Sequence, residues 1–216
     1  MNNIAIYGAG GFGREVQFMI DQINKNSESK WNFIGYFDDG VQAGTDINGY
    51  QVLGRMEELN QFAEPLSVVF AIANPQIKRK VISQVTNRLV NFPILIHPNV
   101  LLGPEDFLKI GEGTIITAGN FITVNIEIGK HVILNLGCTV GHDTVIKDFC
   151  SFMPGVNISG EVIIEECVYV GTGAKIINQL SIGENTIVGA GAVVSKSLPS
   201  DCTAVGIPAK PIKKNN

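Results

Sequence analysis

The stretch IGEGTIITAGNFITVNIEIGKHVILNLGCTVGHD, residues 110–143, opens a run in which an apolar side chain returns at every sixth position. The series is Ile110, Ile116, Ile122, Ile128, Leu134, Val140, Ile146, Phe152, Ile158, Ile164, Val170, Ile176, Ile182, Val188 and Val194, fifteen residues without a miss. Four places after each stands a short or apolar residue, from Thr114 and Asn120 to Ala192 and Leu198. A helix would repeat every 3.6 residues and an alternating strand every 2, so neither produces the pattern. A fixed short period marks a parallel β-helix, each repeat laying one short strand on one face of a prism. Three hexads make one triangular coil, so the run predicts about five coils stacked at roughly the 4.8 Å inter-strand spacing. The every-sixth residue is expected to fill the axis. Glycine follows it at Gly111, Gly129, Gly141, Gly171, Gly183 and Gly189, where a corner with positive φ is expected.

Before this run the phase slips by two: Val90, Ile96, Leu102 and Leu108 share one register and Ile110 starts another. Residues 98–109 therefore read as an irregular lead-in coil, the atypical cap a solenoid needs at its end. After it, Gly206-Ile207-Pro208-Ala209-Lys210-Pro211 carries prolines that stop the ladder.

The amino-terminal part reads differently. A strand over Asn3–Tyr7 runs into Gly8-Ala9-Gly10-Gly11-Phe12-Gly13 and a helix from Arg14 to about Asn24. This is GxGxxG in its strand-turn-helix setting, where backbone amides and a helix N-terminus suit a phosphate. A second strand, Phe33–Phe37, ends in Asp38-Asp39, either acceptors for a ribose or base or the start of a solvated loop. A Gly- and Asp-rich loop, a short helix near Met56–Phe62, a strand over Ser67–Ala73 ending at Asn74-Pro75, an amphipathic helix over Gln76–Leu89 and a last strand over Phe92–Ile96 complete the part. The sum is half of a doubly wound nucleotide fold, short for a dinucleotide and suited to a mononucleotide. The expected fold class is thus an α/β half-Rossmann domain at residues 1–93 followed by a β-helix at 94–216.

With 216 residues, net charge -4 and 17% charged residues, the chain has ample material for a core and no basic surface for nucleic acid. No apolar run approaches a membrane span, and the amino terminus has no signal-peptide pattern, so a cytoplasmic location is expected. Cys138, Cys150, Cys167 and Cys202 show no CxxC spacing; the first two fall in the apolar register and read as buried reduced thiols.

Of three histidines, His142 in Val140-Gly141-His142-Asp143 lies two places after an axial residue, at a corner or outer face. One coil further on, the residue stacked on it is Gly160, which leaves room beside the ring and offers a backbone amide to a developing oxyanion. An imidazole is suited to taking a proton near neutral pH, and Asp143 would fix its tautomer if corner geometry brings neighbouring side chains together. His97 and His131 read as structural or solvated. Their spacings do not stack with His142, so no zinc site is expected.

The hexads, Gly141-His142-Asp143, Gly160 and Gly206-Ile207-Pro208-Ala209-Lys210 resemble the left-handed β-helix acyltransferases of the hexapeptide-repeat class. GAGGFGRE, Phe37-Asp38-Asp39 and Ala71-Ile72-Ala73-Asn74 narrow the resemblance to sialic acid O-acetyltransferases and the N-acetyltransferases of nucleotide-linked 4-amino-sugars, such as the bacillosamine-pathway enzyme. That resemblance implies a left-handed parallel β-helix and transfer of acetyl from acetyl-CoA to a sugar amine by direct attack. It gives His142 the role of general base, Asp143 that of its partner, and Asn135 a place near the acceptor. It puts acetyl-CoA in a groove between two prisms of a homotrimer, along Gly160, Thr172, Gly173 and Ala190, with no metal. It puts the acceptor's nucleotide at Gly8, Gly10, Gly13, Asp38, Asp39 and Asn74. Phe12 stands where family members often have a histidine, and Pro75 where a polar residue is common.

The leading expectation is therefore an N-acetyltransferase acting on the 4-amine of a nucleotide-linked deoxyamino sugar. An O-acetyltransferase of sialic acid or a related sugar is the close alternative. A non-catalytic nucleotide-sensing trimerisation module is the alternative of another class, against which the pairing of His142 with Gly160 argues. A nicotinamide-dependent oxidoreductase would need a longer sheet.

Overall fold

The computed structural model describes residues 2–28 and 30–215. Its first part is a six-stranded sheet: β1 (Asn2–Tyr7), β2 (Trp31–Phe37), β3 (Asp46–Ile47), β4 (Tyr50–Gly54), β5 (Leu66–Phe70) and β6 (Val90–Asn91), in the order β3-β4-β2-β1-β5-β6. All neighbours are parallel except the β3–β4 hairpin at the edge. That hairpin occupies the segment expected to be a loop, and β4 extends the sheet beside β2. Helices α1 (Gly11–Asn26), α2 (Met56–Asn60) and α3 (Pro75–Ile82) make the connections.

Two expected elements are shorter. α3 stops at Ile82 instead of running to Leu89, because side chains take over the backbone partners that further turns would have used. Asn60 Oδ1 accepts from the amides of Thr86 and Asn87, and Asn87 Nδ2 donates to the carbonyls of Leu59 and Phe62. The strand expected at Phe92–Ile96 is two pieces: Val90–Asn91 closes the first sheet, and Leu95–Ile96 opens the prism.

The prism is a parallel β-helix with three faces. The first holds Leu95–Ile96, Ile115–Ile116, Ile133–Leu134, Ser151–Phe152, Tyr169–Val170, Ile187–Val188 and Cys202–Val205, closed by antiparallel Lys210–Lys214. The second runs from Leu101–Leu102 to Val193–Val194, and the third from Leu108–Ile110 to Ser181–Ile182. Fourteen of the fifteen axial residues are at most 3% exposed, and Ile110 is half-buried. A fully buried aliphatic side chain contributes about 1.5–3 kcal/mol, so this column, with the buried residues four places after it such as Val132, Val156, Val162 and Val168, is a large part of what holds the prism together.

Two expectations change. Residues 98–109 are a coil in full register, with Leu95 paired to Ile115 and Leu101 to Phe121. The slip of two is taken up within that coil by a 3₁₀ turn at Glu105–Phe107, after which Ile110 meets Ile128. The glycines that follow the axial residues do not have positive φ. That conformation falls two places later, at Gly119, Gly137, Gly155, Gly173 and Gly191 between the first and second faces, and at Asn125, Asp143, Glu161 and Gln179 between the second and third. It recurs at Gly113, His131, Phe149, Cys167 and Asn185 between the third and first. The glycines serve close stacking instead: a Cβ on Gly141 would lie 2.6 Å from the Gly160 nitrogen, and one on Gly171 2.5 Å from that of Ala190.

The nucleotide-type domain packs on the first face. Leu95, Ile115 and Ile133 join a cluster with Val16, Met19 and Ile20. At the adjacent corner the buried His131 ring stacks on Phe149 at 5.5 Å and meets Phe92 edge-on at 5.0 Å. Burial and the nearby Lys78 push its pKa down to about 4, so His131 is a neutral packing element. Lys78, on α3, is only 1% exposed, and its Nζ donates to Ser151 Oγ at 3.0 Å and to the Cys150 carbonyl at 3.3 Å. All four cysteines are buried free thiols.

Burial lowers the Lys78 pKa to about 7, whereas an unfolded lysine titrates near 10.4. Between those values the unfolded chain binds more protons, so stability must rise as pH increases from about 7 towards about 10. The melting temperature of the native protein should climb over that window, and that of Lys78→Met should lose this climb; equal slopes would show that the amine is not buried at the joint.

Candidate active site

Two groups of residues come together, and they lie on different parts of the molecule. The first is at the carboxyl ends of β1, β2 and β5. Strand order reverses on either side of β1, and in open α/β sheets ligands bind at such a switch point. Gly8 has φ +108° and sits so close to Ala71 that a Cβ would lie 3.0 Å from its carbonyl oxygen. A Cβ on Gly13 would overlap the Gly8 carbonyl, so this glycine lets α1 rest on the end of β1. Gly10 has open space around its Cβ position and is the N-cap of α1, leaving the loop accessible to a ligand. Asp38 accepts from the Ala9 amide (2.7 Å) with one oxygen and from the Gly40 amide (2.7 Å) with the other. Asp39 accepts from the Met56 amide at 3.3 Å, and Asn74 caps α3 by accepting from the Ile77 amide at 3.0 Å. The acidic pair thus braces the glycine turn and the start of α2 while staying at the rim.

The second group is the corner between the second and third faces, which does not border the first face. His142 follows the strand Thr139–Val140, and Asp143 takes left-handed φ, +58°. That turn brings neighbouring side chains together, and His142 Nδ1 lies 2.8 Å from Asp143 Oδ2. An ionised carboxylate can only accept, so the neutral ring carries its proton on Nδ1 and leaves Nε2 as the basic nitrogen. The bond from His142, and then one from Asn125, holds the Asp143 carboxyl below the usual carboxylate range. Nε2 points at the coil above, where a Cβ on Gly160 would fall 2.5 Å from it. Among the described residues the Gly160 amide donates no hydrogen bond. Both side chains of the dyad are about half exposed, at 57% and 48%, so a reactant can approach.

Asn135, Thr172, Gly173 and Ala190 lie elsewhere. They follow first-face strands, at the corner between the first and second faces, with the second face separating them from His142. Asn135 is 7% exposed, and its Oδ1 accepts from the Leu136 amide at 2.7 Å. Thr172 and Ala190 are exposed and stand one coil apart. Within one chain the structure thus joins His142, Asp143 and Gly160, and separately joins the switch-point residues, but it does not unite the two sets or bring Asn135 to the dyad. Two contributors were not expected from the sequence: Asn125, one coil before Asp143 and 2.8 Å from its Oδ1, and the buried Lys78.

Among the described residues no group of three or more His, Cys, Asp or Glu side chains is placed to hold a metal, and no helix is long and apolar enough to cross a membrane. The PglD N-terminal domain family matches residues 3–85. The chain is 36% identical over 174 residues to the GDP-perosamine N-acetyltransferase of Escherichia coli O157:H7, covering 79% of this chain and 76% of that one. It superposes on the acetyltransferase domain of PglB from Neisseria gonorrhoeae in complex with acetyl coenzyme A (TM-score 0.86, 30% identity, 98% and 100% covered). It also superposes on PerB from Caulobacter crescentus in complex with CoA and GDP-perosamine (TM-score 0.84, 27% identity, 99% and 98% covered).

Gly160 is not in the left-handed region, so Gly160→Ala is compatible with the backbone, and its methyl must displace the imidazole. A crystal structure of that variant should show Nδ1 and Oδ2 parted beyond hydrogen-bond reach with the coils unchanged. An intact 2.8 Å contact would refute the tight stacking of 160 on 142.

Proposed function

The chain belongs to the left-handed β-helix sugar acetyltransferases that carry a PglD-type amino-terminal domain, and on that premise we propose that it transfers acetyl from acetyl-CoA to the 4-amine of a nucleotide-linked deoxyamino sugar. The observation that carries this reading is the His142–Asp143 dyad with Gly160 stacked on it. The acceptor amine attacks the thioester carbonyl directly, and Nε2 of His142 removes its proton as the C–N bond forms. Asp143 holds the ring and balances the imidazolium charge. The Gly160 amide donates to the carbonyl oxygen as negative charge develops there. Collapse of the tetrahedral intermediate expels the CoA thiolate, which recovers a proton from the imidazolium or solvent.

The acceptor's nucleotide occupies the switch point, its phosphates at the loop of Gly8, Gly10 and Gly13, and its nucleoside towards Asp38, Asp39 and Asn74. Because this domain rides on the first face and the dyad lies on the corner remote from it, the two halves of the site meet between copies. A homotrimer does this: the His142 corner of one prism docks beside the next copy's corner of Asn135, Thr172, Gly173 and Ala190, with acetyl-CoA in the groove. Amine transfer is preferred over sialic acid O-acetylation because one relative that aligns over most of the chain is a GDP-perosamine N-acetyltransferase and another binds CoA together with GDP-perosamine.

The test is purified protein with acetyl-CoA and a panel of GDP-, UDP- and dTDP-linked 4-amino sugars, GDP-perosamine first, with sialic acid as the hydroxyl acceptor, read by release of free thiol. His142→Ala should lower transfer by roughly a hundredfold or more, the scale of general-base catalysis, without lowering the melting temperature. Undiminished transfer by that variant would remove His142 from the chemistry, and transfer to sialic acid alone would replace the amine by a hydroxyl.

A further inference from the structure

We infer that Asn125 is a positioning residue for the acetyl transfer, the third member of an Asn125–Asp143–His142 relay that fixes the tautomer and aim of the base. The inference rests on the proposed role of His142 and extends it one coil down the corner.

Asn125 and Asp143 occupy the same corner position in successive coils, and both have left-handed φ, +57° and +58°. Stacking in this conformation sets the two short side chains side by side, and Asn125 Nδ2 donates to Asp143 Oδ1 at 2.8 Å. The two carboxylate oxygens thus have separate partners: Oδ1 takes the amide, Oδ2 takes His142 Nδ1 at 2.8 Å. That division matters because neither dyad member is held by packing, with 57% and 48% of their side chains exposed. A carboxylate on an exposed corner would rotate freely about its Cβ–Cγ bond. The Asn125 amide is the group in contact that stops it, and a neutral donor does so without a competing charge. Asn and Asp are also among the few side chains that occupy left-handed φ readily.

The charges around the relay are few. Above it on the same corner, the Glu161 amide donates to the His142 carbonyl at 2.8 Å and the Glu161 carboxylate accepts from Gln179 at 3.2 Å. Beside Asn125, Asp106, Lys109 and Glu127 line a hollow of about 230 Å³, and Lys109 and Glu127 pair with each other at 2.6 Å. Asn125 lines this hollow as well as bonding to Asp143.

Two substitutions that tolerate left-handed φ test the relay with opposite signs. Asn125→Gly removes the donor and should free the carboxylate, stabilise the imidazolium less and move the acid limb of kcat/KM to lower pH. Asn125→Asp replaces the donor by a second anion and should move that limb to higher pH, each by about half a unit or more. Both should lower kcat roughly tenfold, the scale for losing a residue that orients a reactive one, with KM for acetyl-CoA unchanged, assayed with acetyl-CoA and GDP-perosamine. A crystal structure of Asn125→Gly gives a readout independent of the acceptor: Oδ2 should leave its 2.8 Å position on Nδ1. Wild-type kcat with an unmoved limb, a loss of rate in which both limbs move the same way or not at all, or an unchanged dyad in the crystal would each overturn the inference. If His142→Ala is active the base itself is wrong; if it is inactive while both Asn125 variants behave as wild type, only the relay falls.

Discussion

Close stacking of one coil on the next governs this molecule. Apart from the closing Cys202–Val205 and Lys210–Lys214, each strand of the prism is two or three residues long, too short to be stable alone, and its ladder exists because a neighbouring coil repeats it, eighteen residues away through most of the stack. The spacing is tight enough that several positions accept no side chain: Gly111, Gly129, Gly141, Gly171 and Gly183 each have atoms of the neighbouring coil within 2.6 Å of where a Cβ would stand. The same constraint writes the chemistry. Gly160 leaves the space into which the His142 ring points, and left-handed turns repeated at each corner place Asn125, Asp143, Glu161 and Gln179 in one polar column.

The column and the two-domain joint have different physical characters. The prism interior is a mainly aliphatic stack; the joint combines apolar contact at Leu95, Ile115 and Ile133 with an aromatic cluster and one buried amine. Arg79 reaches from α3 to Glu166 and Glu184 at 3.6 and 3.5 Å, but these exposed pairs add little. Orientation of the nucleotide-type domain therefore rests on packing and on Lys78, whose hydrogen bonds to Ser151 and Cys150 tie α3 to the first face. A defined orientation matters because the proposed acceptor must be presented to a base on another surface.

Arithmetic on the sequence reached the prism, its axial residues and the stack of 160 on 142, because a period of six repeated fifteen times leaves one geometry. The same arithmetic applied downward from Asp143 leads to Asn125; its role was hidden because left-handed φ at the corner, not the spacing alone, turns the two side chains towards each other. The φ assignment itself could not be read from the glycines, since close approach and positive φ both select glycine and only one applies at Gly141. Lys78 was illegible for another reason: lysine is rarely buried, yet on α3 it is Lys78 that is 1% exposed while its apolar neighbour Ile77 is 52% exposed. The end of α3 depended on Asn60 and Asn87, side chains 27 positions apart that no local rule connects.

The dyad and the switch point lie on surfaces of one chain that face apart, so the account requires each working site to draw on two copies. Subunit mixing measures this directly. His142→Ala, defective in the base, and Gly10→Trp, whose indole would fill the open space over the loop, are co-expressed with different tags and purified as mixed oligomers. If sites form between copies, the mixed trimers should recover up to about a third of wild-type transfer, since one of the three interfaces in any mixed cyclic trimer pairs an intact corner with an intact loop. No recovery above either variant alone, in confirmed mixed oligomers, would contradict it.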